Sequence, residues 1–177
     1  MTVLIVDGYN VIHAWPQLKR TLNQRGLEEA RRALVHLLSE YAAQTSAAVT
    51  VVFDAHGRVE TGDPAQVVDG VTVRYGTKTA SADHVIERLA SEAARRGDAG
   101  NVIVATGDSL QRALVGAMGV STMSARGLEA EVSRFANEVS AATRRRREEG
   151  DRARRVEDHI DPMTRQRLED LRRGRGT

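Results

Sequence analysis

The stretch VLIVDGYN, residues 3–10, sets four apolar residues against an abruptly polar ending. An apolar run without alternation suits a strand covered on both faces, as the strands of parallel sheets are. Residues just beyond such a strand stand at the carboxyl edge of the sheet, where open α/β folds bind their ligands. An aspartate, a glycine and an asparagine at that edge form either a capped turn or the first piece of a functional site.

Two more runs repeat the pattern: AVTVVF (48–53) and VIVA (102–105) are short, rich in β-branched residues, and end at or near an aspartate. A weaker extended stretch covers VVDGVTVRY (67–75), and a short one covers GVSTM (119–123). Helical spacing fills the intervals at 27–43, where Ala30, Leu34, Leu37, Leu38 and Tyr41 share a stripe, then at 81–96 and 109–118. This alternation predicts an α/β fold with a mainly parallel sheet and right-handed crossovers that place helices on both faces. A long helix is predicted from 128 to about 147, with Val132, Phe135 and Val139 as its packing stripe, and Pro162 should break the trace before a last helix over 164–173. The expected organisation is a domain over residues 1–127 and a basic helical extension over 128–177 that packs on it.

A chain of 177 residues supports one good core rather than two. Its 41% hydrophobic and 28% charged residues place it with soluble globular proteins, away from disordered and membrane classes. No apolar run approaches the roughly 20 residues of a spanning helix. The N-terminus lacks a basic region and its apolar run stops at Asp7, so a cytoplasmic protein without a secretory signal is expected. The absence of cysteine agrees, and it restricts any metal site to oxygen or imidazole ligands.

Net charge is +2 with a pI of about 9.4, and Lys19 and Lys78 are the only lysines, so the positive charge is almost wholly arginine. Arginine is densest over residues 144–175. Its planar fork suits phosphate, which makes Arg144, Arg145, Arg146, Arg147, Arg154 and Arg155 candidate RNA contacts. The competing reading is a solvated helix face laced by pairs such as Arg144 with Glu148 and Arg145 with Glu149.

The acids are less easily dismissed. Asp7, Asp54 and Asp108 follow the three strong strands, and Asp83 opens the helix before the third of them, with Glu87 one turn further on the same face. Carboxylates that converge on one crevice repel one another unless a hard divalent cation joins them, and Mg²⁺ or Mn²⁺ prefers such oxygens. That chemistry suits phosphodiester hydrolysis and needs no serine, cysteine or histidine nucleophile. Asp7, Asp83 and Asp108 are the candidate metal ligands. Asn10 is expected to orient water or phosphate, Gly8 to permit a tight exit and close backbone approach, and Thr106 and Ser109 to hold a phosphate oxygen or merely cap a helix.

The histidines at 13, 36, 56, 84 and 159 show no paired ligand spacing, and His84 is expected at the surface and His56 in a loop. Trp15 and Tyr9 could stack on a base, or Trp15, before Pro16, could be a packing anchor.

Taken together, VDGYNVIHAWPQL (6–18), VVFDAHG (51–57), TASADHVIERLA (79–90) and VIVATGDSLQ (102–111) closely resemble the YacP-like NYN family of the PIN-like nuclease superfamily. The resemblance covers nearly the whole chain. It implies a three-layer α/β/α PIN-like domain and a metal-dependent endoribonuclease that cuts single-stranded mRNA in association with the ribosome. The family's acidic site falls on Asp7, Asn10, Asp54, Asp83 and Asp108, with Glu87 as the second acid of the helix motif. The family's Thr-small-Asp pattern is met by Thr106, Gly107 and Asp108, whereas His84 and Val85 replace a bulkier acidic or basic helix start.

Other readings are weaker. A dehalogenase-type phosphatase needs a second acid where Tyr9 stands, a dinucleotide fold needs a glycine-rich turn, and a P-loop needs its lysine. No organic cofactor and no membrane partner are therefore expected. A catalytically silent RNA- or ribosome-binding module remains the alternative, although such a module gains nothing from an acidic crevice that repels phosphate.

Overall fold

The computed structural model describes residues 1–55, 65–77, 79–159 and 163. His56, Pro162 and the expected helix over 164–173 lie outside the described residues, as do the side chains of Arg154 and Arg155. Among the described residues no helix is long and apolar enough to cross a membrane.

The three apolar runs form the middle of one six-stranded sheet. Strands β1 (Val3–Asp7), β2 (Ala48–Phe53) and β5 (Val102–Ala105) are parallel, with Val3 opposite both Ala48 and Val102. Strands β3 (Gln66–Val68), β4 (Val71–Tyr75) and β6 (Ser121–Met123) complete the order β3-β4-β2-β1-β5-β6. The single extended stretch expected over 67–75 is instead a hairpin. Asp69 and Gly70 take positive φ of 48° and 80°, the Asp-Gly turn that folds β3 back antiparallel on β4.

The α-helices among the described residues are α1 (Gly8–Ala14), α2 (Pro16–Arg25), α3 (Leu27–Thr45), α4 (Ala82–Arg95), α5 (Ser109–Ala117) and α6 (Ala125–His159). Helices α1 and α2 are not legible as helices in the sequence. Seven residues are too few to display a period, and the segment's turn-like opening hides a helix that begins directly at the end of β1. Pro16 then starts α2 at a position where its missing N–H costs nothing.

Alternate residues of β1 separate the two outer layers. Leu4 and Val6 face Ile12, Trp15, Leu34, Leu38, Leu128 and Val132, whereas Ile5 joins Val52 and Val104 against Val85, Ile86, Ala90 and Val115 of α4 and α5. The result is the expected α/β/α arrangement. Trp15 is fully buried, and its Nε1 donates to the Ala125 carbonyl at 2.7 Å. It is a packing anchor and has no face to offer a base.

The chain divides into two compact units, residues 1–136 and 137–177. In the first, Tyr41 stands edge-on to Phe135 at 5.4 Å and donates to Glu131 at 2.7 Å. In the second, Val139, expected on the packing stripe, is 44% exposed. Beyond Ala142 every residue as far as Glu149 is polar, so no apolar stripe continues there. Arg144, Arg145, Arg146 and Arg147 are all exposed.

Candidate active site

Asp7 is the last residue of β1 and the N-cap of α1. Its Oδ1 accepts from the Asn10 N–H at 3.1 Å, and its Oδ2 accepts from the Thr106 hydroxyl at 3.2 Å. The carboxylate is thus held at both oxygens and only 8% exposed. Burial raises its pKa most; the Asn10 N–H and Thr106 hydroxyl oppose the rise, the charges of Asp83 and Asp54 reinforce it, and the balance stands at about 6.

The crevice has a topological cause. From β1 the chain builds outward through β2 and β4, then returns to the other side of β1 as β5. Connections leaving neighbouring strands in opposite directions open a gap at their carboxyl ends. The Thr106–Asp7 hydrogen bond spans that gap across 99 residues of sequence. Beside it, the Asn10 Oδ1 accepts from the Gly107 N–H at 2.6 Å, which ties the start of α1 to the loop after β5.

Asp54 follows β2 and accepts from the N–H of Ala82, the first residue of α4, at 2.8 Å. Asp83 is exposed in the first turn of that helix, and its Oδ1 accepts from the Gln111 Nε2 at 2.7 Å. Ser81 caps α4, and its hydroxyl meets the Nδ1 of His84 at 2.8 Å, so His84 lies at the surface as expected. Asp108 is occupied differently. It caps α5, with Oδ1 accepting from Leu110 N at 2.8 Å and Gln111 N at 3.2 Å.

The charges of Asp83 and Asp54 both help to raise the pKa of Asp7. Glu87 is half-buried one turn along α4, and Ser109 is exposed at the start of α5. Thr106 is fully buried; it donates to Asp7 and accepts from the Asp108 N–H at 3.1 Å, and its carbonyl accepts from Arg112 at 2.9 Å. It therefore organises the carboxylates. Among the described residues no three His, Asp or Glu side chains are close enough to form one metal-binding group.

Two participants are unforeseen in the sequence. Gln111 reaches Asp83 from another helix; three residues after the Asp108 cap it has only the spacing of a capping box, and nothing in the sequence points to Asp83. Arg31 is buried beside the crevice wall, with its guanidinium 5.2 Å from the Tyr9 ring centre, 5.6 Å from Phe53 and 5.7 Å from Tyr75. It also hydrogen-bonds the Tyr9 hydroxyl and pairs with Glu28 at 3.2 Å. This stack fixes the residue after Gly8.

Residues 4–173 match the model of the YacP-like NYN domain. The chain belongs to that family. An uncharacterized NYN relative, YacP of Bacillus subtilis (strain 168), is 37% identical over 145 residues, 82% of this chain and 83% of that one. The crystal structure of Rae1 (YacP) from Bacillus subtilis matches with a TM-score of 0.69 at 34% identity, over 98% of this chain and 96% of that one. A point variant of Rae1 gives a TM-score of 0.70 at 32% identity, over 97% and 99% of the two chains. The NYN fold is nuclease-like, and this chain carries its acids at the ends of the strands that define it.

Proposed function

We propose that this protein is a metal-dependent endoribonuclease that cuts single-stranded RNA, with cytoplasmic mRNA in association with the ribosome as its substrate. One observation carries the reading: Asp7 ends β1, Asp54 follows the neighbouring parallel strand β2, and the Asp54 carboxylate holds the N–H of Ala82, which brings Asp83 to the same edge of the sheet. A fold gains no stability from gathering like charges, so the arrangement is kept for a cation or a reaction.

The donor chemistry fits Mg²⁺ or Mn²⁺. All candidate ligands are carboxylate oxygens, and Mg²⁺ binds through one or two carboxylates plus water and substrate phosphate rather than a closed protein cage. Asp7 and Asp83 would hold the ion, with Asp108 at the edge of the set. When bound, such an ion supplies charge neutralisation at the phosphate and an acidified water. The chain's own residues do the positioning. Thr106 and the Asn10 N–H fix both Asp7 oxygens, and Asp54 anchors the first turn of α4, which carries Asp83. Asn10, locked to Gly107, presents its amide at the same edge, where it can orient a phosphate oxygen.

The test is cleavage of an end-labelled unstructured mRNA segment with Mn²⁺ or Mg²⁺, with and without translating ribosomes. Internal cuts that require metal and fall about 10²–10³-fold in Asp83→Asn are expected, the scale for loss of one preorganised electrostatic group. RNA bound but never cut in any condition, metal and ribosomes included, would leave a binding module as the better reading.

The arginine extension supplies the grip in this reading. Replacing Arg144, Arg145, Arg146 and Arg147 together with glutamine should weaken binding of single-stranded RNA and flatten its salt dependence by roughly 0.7 for each phosphate no longer neutralised. Titration at several salt concentrations reads this directly. An unchanged slope assigns the four arginines to a solvated helix face.

A further inference from the structure

Gln111 is 4% exposed, yet it is polar and sits where α5 meets the acidic edge of the sheet. Its Nε2 donates to Asp83 at 2.7 Å, which settles which end of the amide is which. Its Oε1 is equally buried and finds no hydrogen-bond partner among the described residues. Native interiors rarely tolerate such an orphan, and where they do the reason is usually functional. Packing alone does not explain the residue, because methionine fills a similar volume with no polar atom to satisfy.

The rest of the local design holds Gln111 still. Asp108 accepts from its backbone N–H at 3.2 Å, so the cap of α5 fixes the turn from which the side chain projects. Asp83, by contrast, is exposed and hydrated by default, and an exposed carboxylate samples several rotamers. The hydrogen bond from a rigid, buried amide selects one of them.

We propose that Gln111 is a positioning residue: its amide aims the Asp83 carboxylate into the crevice and so sets the affinity of the acidic site for its divalent cation. This rests on the metal-dependent reading above. Asp108 then acts twice removed, as the cap that orients the residue that orients Asp83. The orphaned Oε1 is the cost of keeping an amide there.

The measurement is Mn²⁺ binding to the full chain by calorimetry, for wild type, Gln111→Met and Gln111→Asn, alongside thermal unfolding without metal. Mn²⁺ affinity should weaken about 10- to 100-fold in both variants, the usual effect of removing a partner that orients a metal ligand. Gln111→Met should show no loss of metal-free Tm, because it removes a buried orphan and leaves Asp83 to water. A merely structural glutamine predicts the reverse, a lowered Tm with unchanged affinity, and that result overturns the inference. Gln111→Asn keeps the amide but is one methylene too short to reach Asp83, so it provides the same binding test if the methionine variant does not fold. Wild-type protein that takes up no Mn²⁺ overturns the metal-dependent reading and this inference together, whereas uptake unchanged in both variants overturns this inference alone.

Discussion

Asp7→Asn is expected to cut RNA cleavage sharply while making the metal-free protein more stable. The two effects have one cause. Asp7 is held by two hydrogen bonds in a site that burial and the charges of Asp83 and Asp54 make hostile to a negative group, so its pKa rises from 3.8 to about 6. Asparagine keeps the shape and a carbonyl to accept from the Asn10 N–H, and its amide can meet the Thr106 hydroxyl once that group turns. It does not carry the charge. The folded wild type binds a proton more tightly than the unfolded chain does, so its stability falls as pH rises between 3.8 and about 6 and stays depressed above that. The variant escapes this loss, which amounts to at most about 3 kcal/mol at neutral pH. Urea unfolding at pH 4 and pH 7 should therefore show the variant's advantage growing with pH. Cleavage should fall on the order of 10²–10³-fold, the scale on which one preorganised electrostatic group acts. A variant less stable than wild type at pH 7, or one that cuts within about tenfold of wild type, would overturn the assignment of Asp7.

Gly8→Ala should damage the fold severely. Gly8 has ordinary helical geometry, so the argument is one of space: a Cβ built there lands on the edge of the Phe53 ring. That ring cannot retreat. Phe53 is 1% exposed and lies 5.3 Å from the Tyr9 ring and 5.8 Å from Tyr75, with the Arg31 guanidinium 5.6 Å above it. Overpacking of this kind costs about 3 kcal/mol, near the upper end of its usual range. For a chain of this length that lowers Tm by roughly 6–12 °C. Gly100→Ala is the control, since a Cβ there meets nothing within 4 Å. Scanning calorimetry of both variants decides the matter, and a Gly8→Ala Tm within about 2 °C of the control would show that Phe53 yields.

The glycine illustrates how much can be read from sequence. Close backbone approach at Gly8 is legible in DGYN, but the partner is not, because Phe53 arrives from another strand. The three central strands are legible because both faces of each are covered, which leaves unbroken apolar runs. The acids at their ends are legible by position alone. Their division of labour is not, since an N-cap and a metal ligand look alike in one dimension: Asp108 and Asp54 accept from helix N–H groups, while Asp83 accepts from a side chain. The role of Gln111 is not legible, although the residue ends the quoted VIVATGDSLQ stretch, because its meaning lies in a contact 28 residues away. The hairpin at Asp69–Gly70 is hidden inside an apolar stretch that reads as one strand, although the Asp-Gly pair is the clue to it.

The bond from Thr106 to Asp7 also has a consequence in time. Asp7 is made before its clamp and before the strand that encloses it on the second side, and the clamp lies 99 residues further along the chain. Trp15, which pins the neighbouring helices, waits longer still for the carbonyl of Ala125. Pairings so distant along the chain are slow to form, because the intervening segment must first give up its freedom. The acidic edge around Asp7 therefore cannot reach its working shape until the segment from β5 to the start of α6 has been made.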